Sequence, residues 1–394
     1  MTEKYLVQPD LKFIDEVVGL GGDTLKKCFQ CATCSVACPI SPDTSPFPRK
    51  EMIAASWGLK DKLMADGDIW LCHNCGDCSD LCPRGAKPGD VLAALRSIAI
   101  TEYAQPKSIA KVVNDPKKLP YLIGIPALWF ALLAFITMNC AGTMTKIFNW
   151  IGLEWSHAHG AEHHVIAAAN FFSTWFVDLT FVPLSIFVVV IFGLGLKRFV
   201  AAIHENAVAE GKTDKKELNW KEFFQAMTRV IPVVLRHDKF NECETNRDRS
   251  TAHMMVLYSF IGLFVVTAIF FVVLYIFHIP GPYSQLNPVK WLANISGIAL
   301  VIGSSLMIKN RLSKKDQVST YNDWYILGTV FALGVTGLLT EMSRLAGYAG
   351  FSYFMYYLHL IAIFNLFAFL PFSKMAHLVY RLFAMTYAEY GNRT

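Results

Sequence analysis

Cys28-Phe-Gln-Cys31-Ala-Thr-Cys34-Ser-Val-Ala-Cys38-Pro39 and Cys72-His-Asn-Cys75-Gly-Asp-Cys78-Ser-Asp-Leu-Cys82-Pro83 are two copies of one pattern, C-x2-C-x2-C-x3-C-P. Gaps of two residues let the chain wrap a cubane so that three thiolates reach three irons, while the fourth cysteine of each run points to the other cluster. The spacing predicts two [4Fe–4S] clusters, one on Cys28, Cys31, Cys34 and Cys82 and the other on Cys72, Cys75, Cys78 and Cys38. Zinc is the plain alternative, because C-x2-C is also half of a four-cysteine zinc site. Such sites draw on two separate pairs, however, not on two runs of four that each end in proline.

Around these runs, residues 1–104 read as a soluble, α-helical, ferredoxin-like head: a short helix near Leu11–Val18, a break at Gly21–Gly22, the first run, a helical stretch from Arg49 to Met64, and the second run. A linker bearing Pro and Lys, 105–119, leads to residues 120–394, which read as a membrane domain. Eight of the ten cysteines lie in the head, whereas an extracellular disulfide scaffold would spread them. Cys140 and Cys243 stand alone and read as ordinary small residues. The start, MTEKYLVQPDLKFIDEV, lacks the basic stretch and apolar core of a secretory signal, so the head is expected to remain in the reducing cytoplasm.

The 394 residues are 54% hydrophobic and only 17% charged, a surplus of apolar side chains that points to a bilayer. A net charge of +5 is small for this length and implies no nucleic-acid partner. Six segments approach the roughly 20 apolar residues a spanning helix needs: Pro120–Cys140, Phe171–Gly195, Ala252–Phe277, Val289–Ile308, Trp324–Leu339 and Phe351–Phe372. Basic residues gather in the second connection, from Lys197 to Arg249, and in the fourth, from Lys309 to Lys315, while the alternate connections hold only Lys146, Lys290 and Arg344. The positive-inside rule then puts both termini, the head and the 200–250 connection in the cytoplasm, and the 141–170 and 278–288 loops outside. The fold class expected is mainly α: the two-cluster head followed by a six-helix transmembrane bundle. The 200–250 connection, long and charged, is expected to contact soluble partners.

Ionisable residues at membrane depth are costly and are functional candidates by default. Among the eleven histidines, His359 and His377 are eighteen residues apart. On one continuous helix that separation is five turns, so the pair would share a face about 27 Å apart. His253 opens the third segment at the level of His377, and the two are expected to clamp one iron as bis-His b-type haem requires. His359 then needs an outer partner, for which His278 and His164, with its neighbour His163, compete. His157, His159, His204, His237 and His73 read as ordinary polar residues, although His73 lies inside the second cysteine run and is placed to tune it. Lys290, in the outer stretch Asn287-Pro288-Val289-Lys290-Trp291, is a candidate donor to a quinone carbonyl, against the plainer reading of an interface anchor.

The doubled cysteine run resembles the iron–sulfur C component of heterodisulfide reductases. The helices, with the His359/His377 spacing and His253, resemble the haem b component of those reductases and the gamma component of respiratory nitrate reductases. Their fusion in one chain resembles the C-component family of quinone-interacting membrane-bound oxidoreductase complexes of sulfate reducers, over nearly the whole length. In one respect it departs: the nitrate reductase pattern has a second histidine about ten residues after the first, and here that position is Leu263. The resemblance implies two haems b, menaquinone as substrate, and cytoplasmic heterodisulfide reductase A-like flavoproteins that pass electrons to adenylylsulfate reductase. It also implies a multi-pass protein of a bacterial or archaeal cytoplasmic membrane. The function expected is that of an oxidoreductase subunit in electron transport. The membrane component of a heterodisulfide reductase is a rival within that class, and a passive anchor for flavoproteins is a rival outside it.

Overall fold

The computed structural model describes residues 9–43, 45–152, 166–238, 248–313 and 318–392, and every regular element among them is a helix. Pro88–Tyr103 organises the head. Proline suits the first turn of a helix, where its missing amide hydrogen has no partner to lose. Val91, Leu92, Leu95, Ile98 and Ala99 then recur at helical spacing on a fully buried face. Leu11–Val17, Arg49–Ser56, Lys60–Met64 and Asp68–Leu71 contribute the rest of this core. The stretch 49–64, expected as one helix, is two, because Gly58 turns the chain with φ +67° where a Cβ would lie 2.8 Å from the Asp10 backbone.

Among the described residues, six helices are long and apolar enough to cross a membrane: Pro116–Asn139, Thr174–Ala209, Arg249–Tyr275, Pro288–Ser313, Tyr321–Leu345 and Ala349–Ala368. The chain is thus a multi-pass membrane protein. Spans three to six pack in sequence order, and span six also contacts spans one and two. The second helix runs for 36 residues, or about 54 Å, well beyond a hydrocarbon core of about 30 Å. Its surplus turns carry Phe199, Val200 and Ile203 into the core of the head.

There, fully buried Trp70 stacks on Tyr380 with ring centroids 5.3 Å apart and meets Phe199 edge-on at 5.7 Å. One aromatic cluster therefore joins the head, span two and the C-terminal helix His377–Tyr390. The amphipathic helix Trp220–Arg236 also packs within the chain: it lies against His377–Tyr390, with Phe223 buried beside Phe383 and Tyr390.

The sixth span corrects one expectation. It ends at Ala368, after which Leu370–Phe372, containing Pro371, and Lys374–Ala376 form two 3-10 turns before a new helix begins at His377. Proline cannot donate to the preceding turn, and the helix breaks there. His359 and His377 therefore lie on different helices, and the separation calculated for a single helix does not apply.

Candidate electron-transfer site

The two cysteine runs share one backbone. Gln30 and Ala32 in the first, and Asn74 and Gly76 in the second, take positive φ at the second and fourth positions after the leading cysteine. The short helices Thr33–Val36 and Asp77–Asp80 follow in the same register. Left-handed backbone is unfavourable for non-glycine residues. It persists here in a conformation that can turn successive amides inward as an anion-binding nest of the kind found around iron–sulfur clusters. One such amide, Asn74 N–H, donates to Cys72 Sγ at 3.3 Å.

The folded runs bring the cysteines together in two sets. Burial, then the neighbouring Cys28, Cys31 and Cys82 thiols, push the Cys34 thiol up to about 11. Burial, with Cys72 and Cys75 adding to it, pushes Cys38 up to about 12. Cys38, Cys72, Cys75 and Cys78 also line one recess, closed by Phe47, Pro48 and Leu92. A bound cluster would reverse the pKa balance, since a coordinated thiol gives up its proton outright.

The two sets face different surroundings. Around the first, Phe29, Val36 and Leu81 are exposed at 67%, 88% and 59%, and Cys31 is itself exposed. Arg84 covers the Phe29 ring at 4.0 Å, and Lys26 and Lys27, just before Phe29 in sequence, are exposed. The second set faces the membrane helices. Arg249 donates to the Asn74 carbonyl at 3.2 Å, and Arg381 donates to the Leu71 carbonyl at 3.3 Å and bonds the His73 ring. Arg96, from within the head, donates to the Ile69 and Cys72 carbonyls at 2.8 and 3.2 Å. The sequence reading missed Arg249 and Arg381, yet both stand one helical turn from a candidate histidine, four residues before His253 and four after His377.

The His253 and His377 rings lie with centroids 6.5 Å apart and planes at 72°. Two metal–imidazole bonds of about 2 Å each, plus a ring radius at either end, span a similar distance, so this separation suits an iron held between the two rings. His377 Nδ1 lies 2.6 Å from the Lys374 carbonyl. That oxygen can only accept, so Nδ1 carries the proton and Nε2 keeps its lone pair. Burial, aided by the Lys374 and Arg381 charges and opposed by the Lys374 carbonyl, pushes the His377 imidazole down to about 4 and keeps it neutral, as a metal ligand must be.

His237, expected to be an ordinary solvated residue, is buried, and its Nε2 lies 2.8 Å from His253 Nδ1. Burial lowers its imidazole below the usual range. Sequence position hid this, because His237 ends a surface helix sixteen residues before His253 and reaches it only in three dimensions.

Midway along span six, His359 packs on span five. A Cβ at Gly337 would sit 2.9 Å from the His359 ring. The Thr336 hydroxyl donates to the Ala332 carbonyl at 2.6 Å and so accepts from His359 Nδ1 at 3.0 Å, which again leaves Nε2 free. His278 is exposed beyond the end of span three, with φ +54°, and no ring contact joins it to His359 among the described residues. His164, His163, His157, His159 and Cys243 lie outside the described residues. Lys290 pairs with Glu341 at 2.9 Å, and Glu341 also holds Arg344 and Gln285. Asp178 in span two accepts a hydrogen bond from Tyr275 in span three. Neither Glu341 nor Asp178 was singled out from sequence, although an acid inside an apolar run is itself a signal. His204 is a buried structural histidine, 2.9 Å from the Tyr387 hydroxyl.

Cysteine sets of this kind on a helical head, docked on six spanning helices, define an iron–sulfur electron-transfer protein with a membrane domain. Residues 24–86 match the family model of the 4Fe-4S dicluster domain. The chain is similar to the C component of the H(2):CoB-CoM heterodisulfide,ferredoxin reductase of Methanothermobacter marburgensis, at 38% identity over 90 residues, 23% of this chain and 49% of that protein. It is similar to a protein of Archaeoglobus profundus that is named for its likeness to the C component of heterodisulfide reductase, at 30% identity over 26% of this chain and 56% of the other. It is also similar to the C2 component of the H(2)/formate:CoB-CoM heterodisulfide,ferredoxin reductase of Methanococcus maripaludis, at 33% identity over 36% of this chain and 91% of that protein. The chain spans about half the length of the first two relatives and nearly all of the third. On that last match it belongs to the family of heterodisulfide reductase C-component iron–sulfur proteins, the shared part being its N-terminal region. No solved structure matches it.

Proposed function

We propose that this chain is the electron-transfer membrane component of a respiratory complex in a bacterial or archaeal cytoplasmic membrane, with its head and both termini in the cytoplasm. In this reading it exchanges electrons between menaquinone in the bilayer and heterodisulfide reductase A-like flavoproteins, toward adenylylsulfate reductase in sulfate reduction. Two [4Fe–4S] clusters, on the cysteine sets Cys28, Cys31, Cys34, Cys82 and Cys72, Cys75, Cys78, Cys38, with haem b on His253 and His377 and a second haem b on His359, supply one-electron relay chemistry when bound. The partner of His359 in this proposal is His278 or His164.

One observation carries the reading: Arg249 and Arg381, a helical turn from His253 and His377, both bond the second cysteine run, Arg249 through the Asn74 carbonyl and Arg381 through the His73 ring and the Leu71 carbonyl just before the run. The same two helices thus carry imidazoles that face each other and, one turn away, guanidiniums bonded at the cysteine loop, which holds the two redox positions together. Lys290, ion-paired to Glu341, is the proposed quinone contact at the opposite end. A soluble partner with an acidic rim would cover the exposed Phe29, Val36 and Leu81, matching the charge of Lys26, Lys27 and Arg84.

The test is a visible and paramagnetic-resonance spectrum of the purified complex before and after menaquinol. Reduced b-type bands and cluster signals that rise on quinol addition are expected. Cluster iron without any b-type absorbance would reduce the chain to an anchor. The names of the relatives favour one alternative, the membrane component of a heterodisulfide reductase. Reduction by another membrane carrier but not by menaquinol would select it.

A further inference from the structure

The C-terminus of the amphipathic helix Trp220–Arg236 is closed by His237 in left-handed backbone, φ +56°, with its N–H returned to the Val233 and Val234 carbonyls. Glycine is the usual residue at such a position, and a side chain there carries a cost of about 1–2 kcal/mol. Here the side chain is an imidazole that is only 8% exposed. It reaches span three, where its Nε2 lies 2.8 Å from His253 Nδ1 and the two ring centroids are 5.0 Å apart. The helix end is held in place by the Tyr258 hydroxyl of span three, which donates to the Leu235 carbonyl at 3.0 Å.

A hydrogen bond between two ring nitrogens needs one proton and one lone pair. If His253 is to offer Nε2 to a metal, its proton sits on Nδ1, and the atom within reach of that proton is His237 Nε2. We propose that His237 is the positioning residue for His253: it accepts the Nδ1 proton, fixes the tautomer and ring orientation, and so presents the His253 Nε2 lone pair toward His377. This rests on the reading of His253 and His377 as a haem pair. Partners in this position raise ligand basicity, and losing one typically costs roughly ten- to a hundredfold in metal affinity. The partner here is unusual in kind, since it belongs to the head-side connection and not to a spanning helix. The ligand geometry of the bundle is thereby set from the polar segment that packs on His377–Tyr390.

The experiment uses the whole complex with His237→Leu and His237→Gln, the latter placing an amide oxygen near the position of Nε2. Haem content, the midpoint potential of the b-type signal and the low-spin ferric spectrum are measured, with the cluster signals as the check on folding. Leucine is expected to lower haem affinity roughly ten- to a hundredfold and to move the potential of the remaining haem to more positive values, because a less basic imidazole stabilises ferric iron less. Glutamine is expected to return both toward wild type. A His237→Leu protein that keeps the wild-type potential and ferric spectrum overturns the inference. So does loss of all haem in both variants while His253→Leu retains it, since His237 would then be the ligand. Absence of b-type bands from the wild-type complex is a different result: it removes the haem pair itself, and this inference with it.

Discussion

Trp70→Ala probes the joint through which head and membrane domain are held together. The Trp70 ring is fully buried two residues before Cys72, stacked on Tyr380 and edge-on to Phe199. Truncating a buried tryptophan costs about 3–5 kcal/mol, more where the surroundings cannot collapse. Here the Tyr380 and Phe199 walls belong to helices fixed elsewhere in the chain, which argues for the upper part of that range. Against it, the indole Nε1 is buried with no hydrogen-bond partner among the described residues, and removing an unsatisfied donor returns about 1–3 kcal/mol. The balance is about 3 kcal/mol.

At about 1.4 kcal/mol per factor of ten, local opening of residues 66–75 should become roughly a hundredfold more frequent, while Pro88–Tyr103 changes far less. Amide hydrogen exchange on the complex in nanodiscs reads this directly, and Trp70→Phe should show a fraction of the effect. An increase below about tenfold in residues 66–75, or an equal increase across the whole head, would refute the assignment of this ring as a local joint.

Four further outcomes are expected. Iron and sulfide analysis should return roughly eight of each per chain after haem iron is subtracted, four per cubane; zinc, or half that iron, would contradict two clusters. His377→Ala should lose the b-type signal of the pair with His253, keep the cluster signals, and lose reduction of the clusters by menaquinol. His237→Ala is not a neutral control for it, given the contact with His253. Glu210, though burial opposes its ionisation, is held at about 2 by Lys212 and by Lys62 of the head. A folded pKa below the ordinary value near 4.5 means a contribution fully present above that value and lost as pH falls toward about 2, so Glu210→Gln should flatten the acid-side decline of the head's thermal midpoint. Leu81→Asp should weaken binding of the soluble partners by about tenfold or more while leaving the cluster and haem spectra unchanged, and wild-type affinity in that variant would move the docking face elsewhere.

What could be read from the sequence alone was what local spacing encodes. Thiolates around a cubane must recur at intervals that one backbone turn can deliver, so C-x2-C-x2-C-x3-C-P names its chemistry without any knowledge of the rest of the fold. A bilayer imposes its thickness on uninterrupted apolar length, so six spans were visible even where their ends were misjudged, as with the fifth, which runs on to Leu345. His253 and His377 could be proposed as a pair because one opens its segment and the other follows the end of its own, at the same level on the cytoplasmic side.

The tertiary structure decided everything that depends on which distant residues meet. The break at Pro371 removes the helical phase that related His359 to His377, and no count of residues could supply the direction taken by the new helix. Arg381 bonds His73 across 308 positions of sequence, and His237 reaches His253 only because its helix folds back onto the bundle. Local spacing carries the donor sets because ligand geometry is short-ranged. The connection between those sets is set by packing, a property of surfaces that the chain brings together only when it folds.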